Sequence, residues 1–276
     1  MKTNFLSGDC PIRWILLILL IFLVGGCSGL EPAKVPVKEL VIRTWEDDIP
    51  AEVFADFTQK TGTQVRFEPY LSQEEAVADL QAKKPADLVV MDSRFIPSLI
   101  ECQCLLPIDR SRVPNFKFIS AAFRDLTFDP GNRYSVPYQW GTTGIVFRSD
   151  LAGRAITRWS DLWDPAYAGK VGLWEGEPRE IIGLTLKMLG YSANSEDPKE
   201  LAAAMAKLQE LQPRAILLES IDPYSPIPGL LDGRVIISIG YAYDAVEGKR
   251  QSQVIQFTLP EEGGVLWSDP LSARSL

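Results

Sequence analysis

Apolar residues recur along this chain with two alternating periods, after an opening stretch that has no period at all. Trp14 to Val24 (WILLILLIFLV) runs without a polar residue and stops at Gly25-Gly26-Cys27. That run is short of the ~20 residues a membrane-spanning helix wants and has the length of a signal-peptide apolar region. Residues 28–37 (SGLEPAKVPV) carry two prolines and no periodicity, and read as a tether. Strand-like and helix-like segments then alternate. Glu39 to Thr44 is a β-rich run; Ala51 to Thr61 sets Val53, Phe54 and Phe57 on one helical face and ends at Gly62. Gln64 to Tyr70 alternates as a strand, Gln73 to Ala82 has helical spacing, and Ala86 to Met91 reads as a buried strand. Such an order predicts a parallel sheet with crossover helices.

A loop-rich section from Pro107 to Pro137 separates this series from a second one. Strands are expected at Thr143 to Arg148, Lys170 to Trp174, Ala215 to Glu219, Val235 to Ile239 and Val254 to Leu259. A helix-and-turn is expected at Trp159 to Gly169, with helices near Arg179 to Leu189 and at Pro198 to Leu211. The pattern divides the chain into a leader (1–26), a tether (27–37), one lobe (38–138, with 269–276 returning to it) and a second lobe (139–268). Tyr138 to Gly144 is the expected crossing.

Composition narrows the function. The 276 residues include 28 Lys+Arg, 36 Asp+Glu and no histidine, for a formal charge of -8. An acidic balance disfavours nucleic acid, whose binding needs clustered Lys/Arg, and suits a cationic ligand. Without histidine, Ser-His-Asp and Cys-His nucleophile pairs and His-ligated zinc are excluded. Val24-Gly25-Gly26-Cys27 resembles the bacterial lipobox, in which cleavage precedes a cysteine that carries lipid; Cys27 is therefore the expected attachment point. Cys102 and Cys104 lack further soft ligands nearby and read as two incidental thiols or a bridge formed in an oxidising compartment.

Candidate chemistry gathers past the strand ends, where ligands of such sheets collect. Trp45 with Asp47 and Asp48, Asp92 with Ser93 and Arg94, Trp140, Trp174 with Glu175 and Glu177, Glu180, Tyr241 with Asp244, and Trp267 with Asp269 pair acids with aromatics. Carboxylates hold cationic heads and aromatic faces line an apolar stem. Each of these residues alone also suits a plainer role, as a core aromatic or a helix cap.

Taken together, Asp87 to Val90 (DLVV), Tyr134 to Gly144 (YSVPYQWGTTG), Trp159 to Gly169 (WSDLWDPAYAG), Arg179-Glu180, Leu189 to Ser192 (LGYS) and Glu262 to Asp269 (EGGVLWSD) give the chain a family likeness. From about Glu39 to Leu271 it resembles the spermidine/putrescine-binding proteins of polyamine ABC transporters. The resemblance implies an α/β, two-lobed periplasmic-binding-protein-like fold of type II. It further implies a non-catalytic lipoprotein of the periplasm or cell surface, needing no cofactor or metal, that hands a polyamine to a membrane permease. Trp45 then matches an aromatic wall, Glu177 and Glu180 match acids for amino groups, and Trp267 with Asp269 match an aromatic–acid pair. Tyr241 stands where the family has tryptophan. Asp48, Asp92 and Arg94 depart from a tyrosine, a serine and a tyrosine. The family continues for several helices beyond Asp269, so the fold is expected to be C-terminally truncated. Two alternatives stay open: another small solute such as a sugar, and an exported glycosidase using Glu177 and Glu180.

Overall fold

Long antiparallel strands occupy the middle of the sheet, and the first series pairs in parallel as its pattern predicts. A computed structural model of the chain describes residues 38–46, 48–174, 178–218 and 225–275. The leader, Cys27, the tether, Asp47, Glu175 and Glu177 lie outside the described residues. Among the described residues, no helix is long and apolar enough to cross a membrane.

The described residues form two compact units. In the smaller, made of residues up to Leu40 and Ile49–Arg66, helix α1 (Ala51–Thr61) closes on Gly62, whose φ of 70° and N–H bond to Thr58 O make a left-handed cap. An Arg66–Glu39 ion pair of 2.9 Å and a Gln64 N to Lys38 O bond of 2.8 Å tie its strand ends. The helix and its glycine cap are as predicted, and its apolar face lies open: α1 buries no residue, and Val53 and Phe57 remain 51% and 38% exposed.

In the larger unit, Val41–Asp48 and Phe67 onward, the strands are β1 (Glu39–Arg43, from Val41), β2 (Gln64–Phe67, by Phe67), β3 (Leu88–Val90), β4 (Ser135–Arg148), β5 (Val171–Leu173), β6 (Ala215–Leu217), β7 (Ile237–Tyr241), β8 (Ile255–Thr258) and β9 (Val265–Ala273). The sheet runs β1-β3-β9-β4-β7-β5-β6, with β8 also on β4. β1/β3, β5/β7 and β5/β6 pair in parallel. β9 is antiparallel to both β3 and β4, and β4 to β7 and β8. Helices α2 (Gln73–Gln81), α3 (Ile96–Glu101), α4 (Pro178–Met188), α5 (Pro198–Leu211), α6 (Ile227–Leu231) and α7 (Ala242–Gln251) complete it. The predicted helix-and-turn at Trp159 is a pair of 3-10 turns, Trp159–Trp163 and Pro165–Tyr167.

Two apolar clusters flank the long strands. One gathers Tyr70, Leu80, Val89, Met91, Ile96, Leu99 and Leu105. The other gathers Ile145, Trp159, Leu162, Trp174, Leu184, Leu230, Ile237 and Ile255. Cys102 and Cys104 are joined by a disulfide, around Gln103 in a left-handed conformation at φ 57°; of the two expected states, this is the bridge.

Candidate functional site

Alternation along β4 and β9 builds the site. Side chains two apart on a strand share a face, and the antiparallel register sets Gln139 opposite Asp269, Gly141 opposite Trp267, and Thr143 opposite Val265 on one side and Tyr241 on the other. A register shift between Pro137 and Gln139 makes Tyr138 an extra, bulged residue. Trp267 and Asp269 therefore lie within a strand and not beyond one, a correction to the strand-end pattern. Gly263-Gly264 and Pro270 interrupt the apolar run that would have announced β9.

One end of this face is acidic. Asp269 is only 7% exposed and accepts a 3.2 Å bond from Gln139 Nε2. Beside it, Met91 N donates to Pro270 O at 3.3 Å, which brings the turn after β3 alongside. In that turn Asp92 caps the 3-10 segment Ser93–Phe95, accepting from Arg94 N at 2.8 Å and from the Ser93 hydroxyl at 3.4 Å. The Asp92 N–H in turn donates to Gln73 Oε1 at 2.7 Å. Arg94 stands 3.9 Å from Asp92 and 4.0 Å from Glu74, its guanidinium over the Phe95 ring at 4.8 Å. From the turn after β1, Asp48 accepts from the Thr44 hydroxyl, and its backbone carbonyl accepts from the Tyr138 hydroxyl at 3.2 Å.

Crowding shifts the acids. Burial, then the charge of Asp92 and of Asp48, push Asp269 up to about 7, against opposing pulls from Gln139 and Arg94. Burial raises Asp48 as well, partly offset by Thr44 and Gln139. Tyr70 is raised strongly by burial and by Asp269, Asp48 and Asp92; its hydroxyl donates to Val90 O at 2.8 Å. Tyr138 is raised by burial and by Asp48.

Aromatic rings follow along the face. Tyr241 stacks on Trp174 at 5.0 Å and meets the Trp267 ring edge-on at 5.6 Å. Gly141 has a structural reason: a Cβ there would come within 2.1 Å of the Trp267 ring. Trp267 Nε1 is buried with no hydrogen-bond partner among the described residues. Trp45 packs edge-on against Tyr70 at 4.7 Å, at the acidic end.

At the far end stands Glu180, in the first turn of α4. It accepts from the Thr143 hydroxyl and, at 3.3 Å, from the Tyr241 hydroxyl. Glu180 thus reaches the face, whereas its expected companion Glu177 is outside the described residues. Asp244 is a cap: its carboxylate accepts from Tyr241 N at 2.7 Å. Trp140 points to the opposite face, 53% exposed, 4.9 Å from Phe123 in a pocket of about 260 Å³. Tyr70, Tyr138, Gln139 and Thr143 were not singled out by the sequence pattern. Reading β4 from Ser135 would have found the last two, since Gln139, Gly141 and Thr143 alternate. Among the described residues, no group of three His, Cys, Asp or Glu is arranged to hold a metal ion.

The family model for bacterial extracellular solute-binding proteins matches residues 52–273. The chain belongs to this family. Within it, kinship is with the spermidine/putrescine-binding branch. This solute-binding protein is 33% identical over 236 residues to the spermidine/putrescine-binding periplasmic protein of Salmonella typhimurium, an alignment covering 84% of this chain and 67% of the relative. The crystal structure of the spermidine/putrescine ABC transporter substrate-binding protein of Streptococcus pneumoniae matches with a TM-score of 0.74 and 31% identity, covering 86% of this chain and 73% of that one. The TpPotD lipoprotein of Treponema pallidum matches with a TM-score of 0.79 at 25% identity, over 86% of this chain and 75% of that one. The solute-binding protein has their mixed α/β fold, and the Salmonella and Streptococcus relatives are named as binding proteins.

Proposed function

We propose that this solute-binding protein captures a polyamine, a linear cation of the putrescine or spermidine type, and presents it to the permease of an ABC importer. The observation that carries the reading is the row along one face of the β4–β9 pair: acids at Asp48, Asp92 and Asp269, rings at Trp267, Tyr241 and Trp174, and an acid again at Glu180. From Gln139 to Thr143 the strand advances about 14 Å, which suits a stem with a cationic nitrogen at each end. Ammonium groups would bond to the carboxylates, and methylenes would lie against the rings. Asp47, Ser93, Glu177 and Trp45 complete the proposed ligand set. No step of catalysis is involved.

The two apolar clusters support a division into lobes, residues 38–138 with 269–276 and residues 139–268. The lipobox supports a lipid on Cys27 that holds the protein at the membrane, in the periplasm or on the cell surface. Labelled fatty acid should enter the wild-type chain and not the Cys27→Ala variant.

Calorimetry with putrescine, spermidine and spermine, beside a panel of neutral glycans, tests the function. Heat with a polyamine is expected, together with about 2.7 kcal/mol of added stability at a hundred times Kd. Heat with a glycan alone would replace the polyamine by a sugar.

A further inference from the structure

Three carboxylates from three separate strands converge at one end of the site. Asp269 is on β9, Asp92 follows β3, and Asp48 follows β1. Neighbouring elements contribute Gln139 from β4, Tyr70 ahead of α2, and Arg94, which is shared between Asp92 and Glu74. Arg94 offsets part of the charge of Asp92. Asp269, the most buried of the three carboxylates, accepts from a neutral amide, that of Gln139, at 3.2 Å. Like charges so placed cannot all be ionised cheaply.

We propose that Asp92 and Asp48 hold a proton on Asp269 in the empty site, and that an arriving ammonium displaces it, so that capture is an exchange of cation for proton. The inference rests on the cation-binding reading of this face. The exchange balances: one proton passes from the Asp269 carboxyl to bulk buffer while one cationic nitrogen takes its place among the three acids. Burial and the two neighbouring charges that raise Asp269 to about 7 agree with a group that is half protonated near neutral pH.

The probe is putrescine, whose two primary amines titrate near lysine and stay charged from pH 6 to 8. Titration calorimetry at pH 6, 7 and 8, in buffers of different ionisation enthalpy, counts the protons released. About half a proton per ligand is expected at pH 7, close to one at pH 6 and about a tenth at pH 8, with Kd about 10-fold weaker at pH 6 than at pH 8. Asp92→Ser, which keeps a helix-capping hydroxyl, and Asp48→Asn should each bind putrescine while releasing fewer protons at pH 7. Binding with the same heat in every buffer, or an unchanged proton count in both variants, overturns the exchange and leaves the polyamine reading standing. No binding of any polyamine at any of these pH values overturns both.

Discussion

Single carboxylates on this protein have unequal tasks. Glu180 accepts from two hydroxyls, those of Thr143 and Tyr241, and is oriented before any ligand arrives. Glu180→Gln keeps the shape and removes the charge. A hydrogen bond to a charged group is worth about 1.5–3 kcal/mol, so putrescine should bind roughly 10- to 100-fold more weakly while the melting temperature of the empty protein barely moves. Asp269 behaves differently. Its folded value lies above the ordinary carboxylate value, so the stability its proton contributes is fully present only below the ordinary value of 3.8 and is lost as the pH rises from there through about 7. Asp269→Asn removes that dependence. The variant should melt roughly 5 °C higher than wild type at pH 8, with the gap narrowing as the pH falls and closing near about pH 4, a trend that thermal scans across this range would read directly.

Elements set where such residues point. Much of their layout is legible in the sequence: α5 (Pro198–Leu211) matches its predicted bounds, and α4 (Pro178–Met188) lies within a residue of them before Gly190 turns left-handed at φ 84°. Helical spacing over ten or more residues is a strong signal. The two strands that carry the site were harder to see. β4 holds Pro137, Gly141 and Gly144 among polar residues, and β9 holds Pro270, so neither shows the apolar alternation of an ordinary strand. Their irregular composition serves the site: Gly141 leaves room for the Trp267 ring, and the Tyr138 bulge lets its hydroxyl reach the Asp48 carbonyl. The acids and rings were legible as types, but their order along one face depends on a register that sequence spacing does not encode. For α1 the periodicity gave the helix and its apolar face, though periodicity does not say whether anything covers that face. A prediction belongs at this scale. Gly141→Ala places a methyl against the Trp267 ring inside a paired strand, an overpacking that costs about 1–3 kcal/mol. Putrescine affinity should fall at least 10-fold, and tryptophan fluorescence should shift as Trp267 is displaced.

For the whole molecule, charge and topology matter most. A formal charge of -8 draws cations from a distance, and salt screens that attraction over about 10 Å at 0.1 M. Association rates for putrescine measured by stopped flow should therefore drop several-fold between 20 and 500 mM salt, with dissociation changing less. An acidic surface steers, whereas the buried acids hold.

The position of β9 has a consequence for how the chain comes to be folded. Residues 265–273 form the strand that lies between β3 and β4, although β3 and β4 precede it by more than a hundred residues. A nascent polypeptide leaving the ribosome therefore carries two unsatisfied strand edges until residues 265–273 emerge. Contacts so distant in sequence form slowly, and open edges invite pairing with other chains. The sheet is therefore closed late, by a strand more than a hundred residues downstream of the two edges it joins.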